Sequence, residues 1–171
     1  MKKYTTMDIV LIGMLSAMCT IATFIKIPYG NGAMVHLGTA ALFTIAILFG
    51  GKYAGWAGAI GNGFYDIMMG FSPYTVWTVI IKGLAGLIVG TIAHSRGREG
   101  DKILCNLSGC FLGAIWTLGA YILAWTVVIG NFQVAILNIP SSIISSVVGT
   151  VVALPASKLL RVGLKGLHLK K

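Results

Sequence analysis

Long apolar runs separated by short polar connections fill the chain from Asp8 to Leu160. Six of them read as helical spans, at about Asp8–Ile25, Val35–Gly50, Tyr53–Met69, Tyr74–His94, Ile103–Ile129 and Ile136–Leu160. A bilayer-spanning helix needs about 20 residues, so six use nearly the whole chain. The pattern therefore predicts an all-α, polytopic membrane protein: one bundle of six transmembrane helices over residues 1–171, with no room for a soluble domain. Thr5 or Thr6 suits the N-cap of the first span, with Asp8 in its first turn. That span lacks a small-residue cleavage site followed by polar chain, so it reads as a span and not as a signal peptide. The second and third spans are short enough to tilt little or to enter from partly buried loops. Between spans, Lys26–Met34 reads as a Gly/Pro/Asn loop, Phe71–Pro73 as a tight turn, and Gly130–Leu137 as a connection without charge.

Small residues recur every fourth position: Gly13/Ala17, Gly51/Gly55/Ala59/Gly63, Gly86/Gly90, Gly109/Gly113 and Ser141/Ser145/Gly149/Ala153/Ser157. Each string makes a smooth helix face that lets another backbone approach. Most serve packing inside the bundle; one turned to lipid would dock another membrane subunit. Pro140 sits near the start of the sixth span, where its missing N–H does no harm. Pro155 lies inside that span and is expected to kink or loosen it.

Composition agrees with a membrane protein: 57% of residues are hydrophobic and only 10% charged, against about 25% charged in soluble domains. The net charge of +9 raises the question of nucleic acid. Its placement answers it. Of the 13 Lys and Arg, only Lys26 falls on one side and only Lys82 within a span; the others, from Lys2 to Lys171, share the opposite side. The positive-inside rule then puts both termini in the cytoplasm, and an even number of spans requires the termini on one side. The charge reads as topology plus contact with anionic lipid heads, in a multi-pass protein of the cell membrane. Cys19, Cys105 and Cys110 match no metal spacing and read as packing residues. No HExxH, Gly-x-Ser-x-Gly elbow, paired acids on one helix face or P-loop occurs, so no catalytic or metal residue is expected and the chain cannot use ATP itself.

Two ionisable groups lie within spans. Lys82 sits deep in the fourth, and an ammonium at the bilayer centre costs at least ~2.5–3.5 kcal/mol. Asp66 lies near the outer end of the third. A lysine can reach outward along its stem, so an Asp66–Lys82 ion pair between adjacent antiparallel helices is the least costly arrangement. Such a pair either pins two helices together or faces a cavity open to the outside. The outer half also gathers Tyr65, Tyr74, Trp77, Trp116, Tyr121 and Trp125, with Asn31, Asn62, Asn131, Gln133 and Asn138. Any one of these aromatics suits an interfacial belt. Together with the amides they suit a small, flat, polar ligand. His36 suits a ligand contact or a loop cap.

The stretches HLGTAALFTIAILFGGKYAGWAGAIGNGFYDIMMG (36–70) and YTVWTVIIKGLAGLIVG (74–90) resemble the substrate-binding S components of energy-coupling factor (ECF) vitamin transporters, of the riboflavin-type family. The resemblance rests on a second span ending in Gly-Gly, a glycine-spaced third span ending in Asp, and Lys-Gly-Leu in the fourth. It implies a six-helix subunit that captures a vitamin or precursor from outside. Its partners would be a transmembrane coupling subunit and two ATP-binding cassette ATPases, which use the ATP; no cofactor is expected in this chain. Gly13 and Ala17 occupy the family's small-xxx-small docking positions on the first span. The positions falling in the family's pocket elements are Asn31, His36, Tyr74, Trp77, Lys82, Trp125, Asn131 and Asn138. Compact outer loops suit a hydroxymethylpyrimidine or pyridoxine-like ring first and riboflavin next. The competing expectation is a self-sufficient secondary transporter working as a homodimer, for which Asp66 is the sole candidate ion site.

Overall fold

The computed structural model describes residues 4–28 and 34–166. Helix α1 (Thr6–Phe24) leads into a two-stranded antiparallel hairpin, β1 (Lys26–Pro28) and β2 (Met34–His36), registered Lys26↔His36. There follow α2 (Gly38–Phe49), α3 (Gly51–Met68), α4 (Ser72–Ala93), α5 (Ile103–Ile129), the short α6 (Phe132–Leu137) and α7 (Ile139–Gly166). Among the described residues, α1, α2, α3, α4, α5 and α7 match the six expected spans. The hairpin replaces the front of the expected loop at 26–34 and the first residues of the second span, and α6 occupies much of the expected connection at 130–137. Thr5 is the N-cap of α1: its hydroxyl accepts from the Asp8 N–H, and its own N–H donates to the Asp8 carboxylate at 2.9 Å. Helix α7 continues through Pro155 to Gly166.

Among the described residues, four segments are long and apolar enough to cross a bilayer: Thr6–Phe24, Pro73–Ala93, Ile103–Ile129 and Phe132–Gly163. Large apolar side chains on them face outward, among them Met14 and Ile21 on α1, Phe111 and Ile115 on α5, and Val147 and Val151 on α7. Water does not tolerate such a belt; lipid does. Helix α2 differs. Its 12 residues rise only ~18 Å, short of the ~30 Å hydrocarbon core. It is the buried centre of the bundle: Leu42, Phe43, Ala46 and Ile47 have no exposed surface, and α1, α3, α4 and α7 pack around it.

The tightest pairing joins α3 to α4, and glycine makes it possible. A Cβ on Gly51 would lie 2.8 Å from the Leu87 carbonyl, one on Gly86 2.5 Å from the Ala54 carbonyl, and one on Gly58 2.6 Å from the Lys82 carbonyl. A Cβ on Gly90 would strike the Gly51 backbone. The glycine ridges of the third and fourth spans thus face each other. Gly109 and Gly113 of α5 meet Val89 of α4, and Gly149 of α7 meets Thr39 of α2. Gly13 alone among the paired ridges has nothing within 4 Å of a built Cβ, and both Gly13 and Ala17 are exposed.

Between α3 and α4 the chain reverses in a Schellman turn. The Phe71 N–H bonds the Asp66 carbonyl at 2.8 Å and the Gly70 N–H the Ile67 carbonyl at 3.2 Å, with Gly70 at φ +76°. Only glycine takes that left-handed position without cost, and the turn sets Asp66 one helical turn before the reversal. The opposite end of the bundle carries the polar clasps. Lys52 pairs with Asp8 at 3.6 Å, and Tyr53 also bonds Asp8. Arg161 pairs with Asp101 and donates to the Ile47 carbonyl at 3.3 Å, where the His94 ring also makes contact at 3.0 Å. These contacts satisfy a carbonyl at the C-terminal end of α2 that would otherwise be orphaned. They place the start of α1 and the end of α7 at the same end of the bundle.

Adding one methyl at Gly90 must push α3 and α4 apart at the backbone. Gly90→Ala is expected to destabilise the fold by ~1–3 kcal/mol, read as a lowered midpoint of thermal unfolding in detergent. Gly13→Ala meets open space and is expected to leave the midpoint unchanged. Equal effects would contradict the assignment of the ridges.

Candidate functional site

The end of the bundle away from the clasps holds a cavity of ≈ 330 Å³. Helices α1, α2, α3, α4, α5 and α7 and the β2 strand supply its wall. Lys82 of α4 and Asp66 of α3 both line it, at 4% and 9% exposure. They share the cavity without touching. Among the described residues the ion pairs within 4 Å are Lys52–Asp8 and Arg161–Asp101. Lys82 instead donates to the Thr39 hydroxyl at 3.2 Å and lies 5.5 Å from the centre of the Tyr121 ring. The expected direct ion pair is corrected accordingly: α3 and α4 meet glycine to backbone below this level, and Lys82 turns to α2 instead of reaching outward to Asp66. On Asp66, Oδ2 is buried without a partner, and Thr78 lines the cavity with it.

The remaining wall is graded. Hydroxyls from Thr23, Thr39, Thr78 and Thr117 and a serine face of α7 (Ser141, Ser142, Ser145, Ser146) surround the charged floor. Aromatic rings gather beside them: Tyr121 stacks on Trp125 with centroids 5.4 Å apart at 22°, and Tyr65, Phe71 and Tyr74 complete the rim. Asn62 is held by donating to the Gly58 carbonyl at 2.9 Å, with the Thr23 hydroxyl 3.4 Å from its Oδ1. Lys26, the outlying cation, donates to the Tyr65 hydroxyl at 2.9 Å. His36 reaches the cavity from β2. Its Nδ1 accepts the Gly38 N–H at 3.2 Å, so the ring proton resides on Nε2. Burial, reinforced by the charges of Lys82 and Lys26, pushes the imidazole down to about 3. The histidine is thus both the loop cap and the cavity contact that its position in the sequence allowed.

A membrane bundle with a polar cavity at one end is common to many transporters, and the fold alone does not decide among them. The family described as "ECF-type riboflavin transporter, S component" matches residues 3–162. The chain belongs to this S-component family. Two relatives are similar to it. A UPF0397 protein of Exiguobacterium sp. is 35% identical over 132 residues, 72% of each chain. An uncharacterised protein of Pyrococcus woesei is 31% identical over 108 residues, 61% of this chain and 70% of its own. Membership makes the chain a non-enzymatic, multi-pass membrane subunit, in a class of importers whose ATP is hydrolysed by partner ATPases.

Of the positions expected in the S-component pocket, the cavity brings together His36, Tyr74, Lys82, Trp125 and Asn138. Two lie elsewhere. Trp77 is half-buried outside the cavity wall, and Asn131 is exposed, its side chain capping α6 by accepting the Gln133 N–H at 2.9 Å. Asn31 lies outside the described residues. Sequence reasoning missed the threonines and took Ser141 and Ser145 only as a packing ridge. The readable signal was the density of hydroxyls in otherwise apolar spans, where each needs a partner: Thr23, Thr117 and others donate back to carbonyls four residues earlier, which leaves their lone pairs available to the cavity.

Because the folded protein keeps His36 neutral, its ring resonances are expected to stay constant between about pH 5 and 8 in an NMR titration of the detergent-solubilised chain. The unfolded imidazole takes a proton below about pH 6.5 while the folded one does not until about 3. The histidine's contribution to stability is therefore flat above that range and falls as the pH drops through it. A midpoint near the ordinary histidine value would contradict the buried setting.

Proposed function

We propose that this S component binds a single-ring heteroaromatic vitamin or precursor, hydroxymethylpyrimidine or pyridoxine-like, from the outer face and hands it to an ECF coupling subunit driven by two ATPases. Riboflavin is the next candidate. The observation that carries the reading is the cavity itself: ≈ 330 Å³, with a stacked Tyr121–Trp125 pair beside hydroxyls and fixed charges. Ligand pockets run from about 300 to 1,000 Å³, and this one lies at the small end. A single ring with short polar arms suits it better than a three-ring flavin with a polyol tail. The aromatic pair offers a face for stacking, and His36, Lys82, Tyr74, Trp125 and Asn138 offer the polar and apolar edges.

Orientation follows from charge. Lys52, Arg96, Arg98, Lys102, Lys158 and Arg161 belong to the clasped end, so the reading turns that end, with the start of α1 and the end of α7, to the cytoplasm and the cavity outward. The exposed Gly13/Ala17 face of α1 supports docking of the coupling subunit there: it is smooth, apolar and unused inside the bundle.

Two measurements test this. The chain purified in detergent, denatured and examined by mass spectrometry should release a pyrimidine, pyridine or flavin; failure to bind any of a vitamin panel would contradict the reading. Gly13→Leu and Ala17→Leu should abolish assembly with the coupling module and uptake while changing ligand affinity by less than about threefold, since no cavity residue lies on that face. Parallel loss of binding and uptake would show that the face serves the bundle instead.

A further inference from the structure

The cavity holds one buried cation and one buried anion that do not neutralise each other directly. Asp66 is nine-tenths buried, lines the cavity, and leaves Oδ2 without a hydrogen bond. An unmet buried carboxylate oxygen is costly, and hydrogen bonds to charged groups are among the stronger ones. Lys82, also buried, has three N–H donors, and its hydrogen bond among the described residues takes one of them, to Thr39. Neutral His36 adds no charge. The cavity lining is thus electrically balanced when empty, Lys82 against Asp66, with Lys26 held outside it on the Tyr65 hydroxyl; it offers an acceptor at Asp66 and donors at Lys82. A molecule that satisfies both must carry the complementary pair.

We propose that the cavity selects a heteroaromatic ligand of zero net charge that bridges these two groups. It presents a hydrogen-bond donor, an amino group, hydroxyl or ring N–H, to the Asp66 carboxylate. It presents an acceptor, a ring nitrogen or oxygen, to the Lys82 ammonium. The same arrangement excludes the phosphate monoester of that ring. A phosphate brings nearly two negative charges into a cavity whose lining holds one cation, and Asp66 repels it where little water screens the repulsion. This inference rests on the ring-binding reading given above and adds the rule by which the site discriminates.

The experiment is calorimetric titration of the full chain in detergent with hydroxymethyl-aminopyrimidine, pyridoxine and riboflavin, each beside its phosphate monoester. The wild type is expected to prefer the free alcohol of whichever ring it binds by ~100-fold or more, a preference the size of one well-placed charge contact. Asp66→Leu should weaken the free ring by ~10–100-fold and narrow the preference over the phosphate ester about tenfold, because the repelling charge is gone. Asp66→Asn, nearly the same shape, should narrow it likewise, and serves if the leucine variant does not fold. Lys82→Met should weaken the free ring without narrowing the preference. A wild type that binds ester and alcohol equally would overturn the proposal. So would Asp66 variants that keep the full preference, since a purely structural aspartate would leave that ratio untouched. If no ring binds the wild type at all, the ring-binding reading fails and takes this inference with it.

Discussion

The contact on which the rest of this structure depends is backbone against backbone between α3 and α4. Water does not drive helices together inside a bilayer, so association must come from close packing and polar contacts. Here the glycines of α3 face carbonyls of α4, and those of α4 face the backbone of α3. One of these approaches, Gly58 against the Lys82 carbonyl, fixes the helix at the residue whose side chain is the buried cation. The Schellman turn at Gly70 then fixes the register of the two helices from the other end. Between these two constraints Asp66 and Lys82 have little freedom in where they meet the cavity.

That rigidity explains how two charges persist in an apolar bundle. Each is costly alone, and a direct ion pair would satisfy both in the empty protein while leaving nothing for a ligand. The observed arrangement divides the task. Thr39 partly satisfies the ammonium, while the carboxylate keeps Oδ2 without a partner. The remainder of both groups is left facing the cavity. The polar clasps at the other end, around Asp8 and Arg161, hold the short α2 and its neighbours without contributing to the cavity.

Much of this was legible in the chain. Six helices, an N-cap at Thr5 or Thr6, the glycine ridges, and Lys82 and Asp66 as ionisable groups within spans follow from spacing and residue type, whereas His36, Tyr74, Trp125 and Asn138 were grouped by the family resemblance. What was not legible has physical reasons. The hairpin at Lys26 and His36 spans three residues a side, too few for a period-2 signal; only Gly30-Asn31-Gly32 between short apolar runs hinted at it. Trp77 and Asn131 have the right chemistry at the right depth but point away, because helical phase cannot be read from depth alone. The hydroxyl wall was hidden because serine and threonine serve equally as small packing residues and as polar lining. The direct ion pair was inferred from the cost of isolated charges, and that argument does not foresee that a threonine on α2 can take up the ammonium.

The most direct measurement is ligand affinity of purified Gly58→Ala, with helix content checked by circular dichroism. Gly58 does not line the cavity, yet a methyl group there must displace the Lys82 backbone. With helicity retained, affinity for the bound ring is expected to fall ~10-fold or more, as it does when positioning is lost by about an ångström. Wild-type affinity in a helical Gly58→Ala protein would contradict the claim that backbone contact between α3 and α4 sets the geometry of the site.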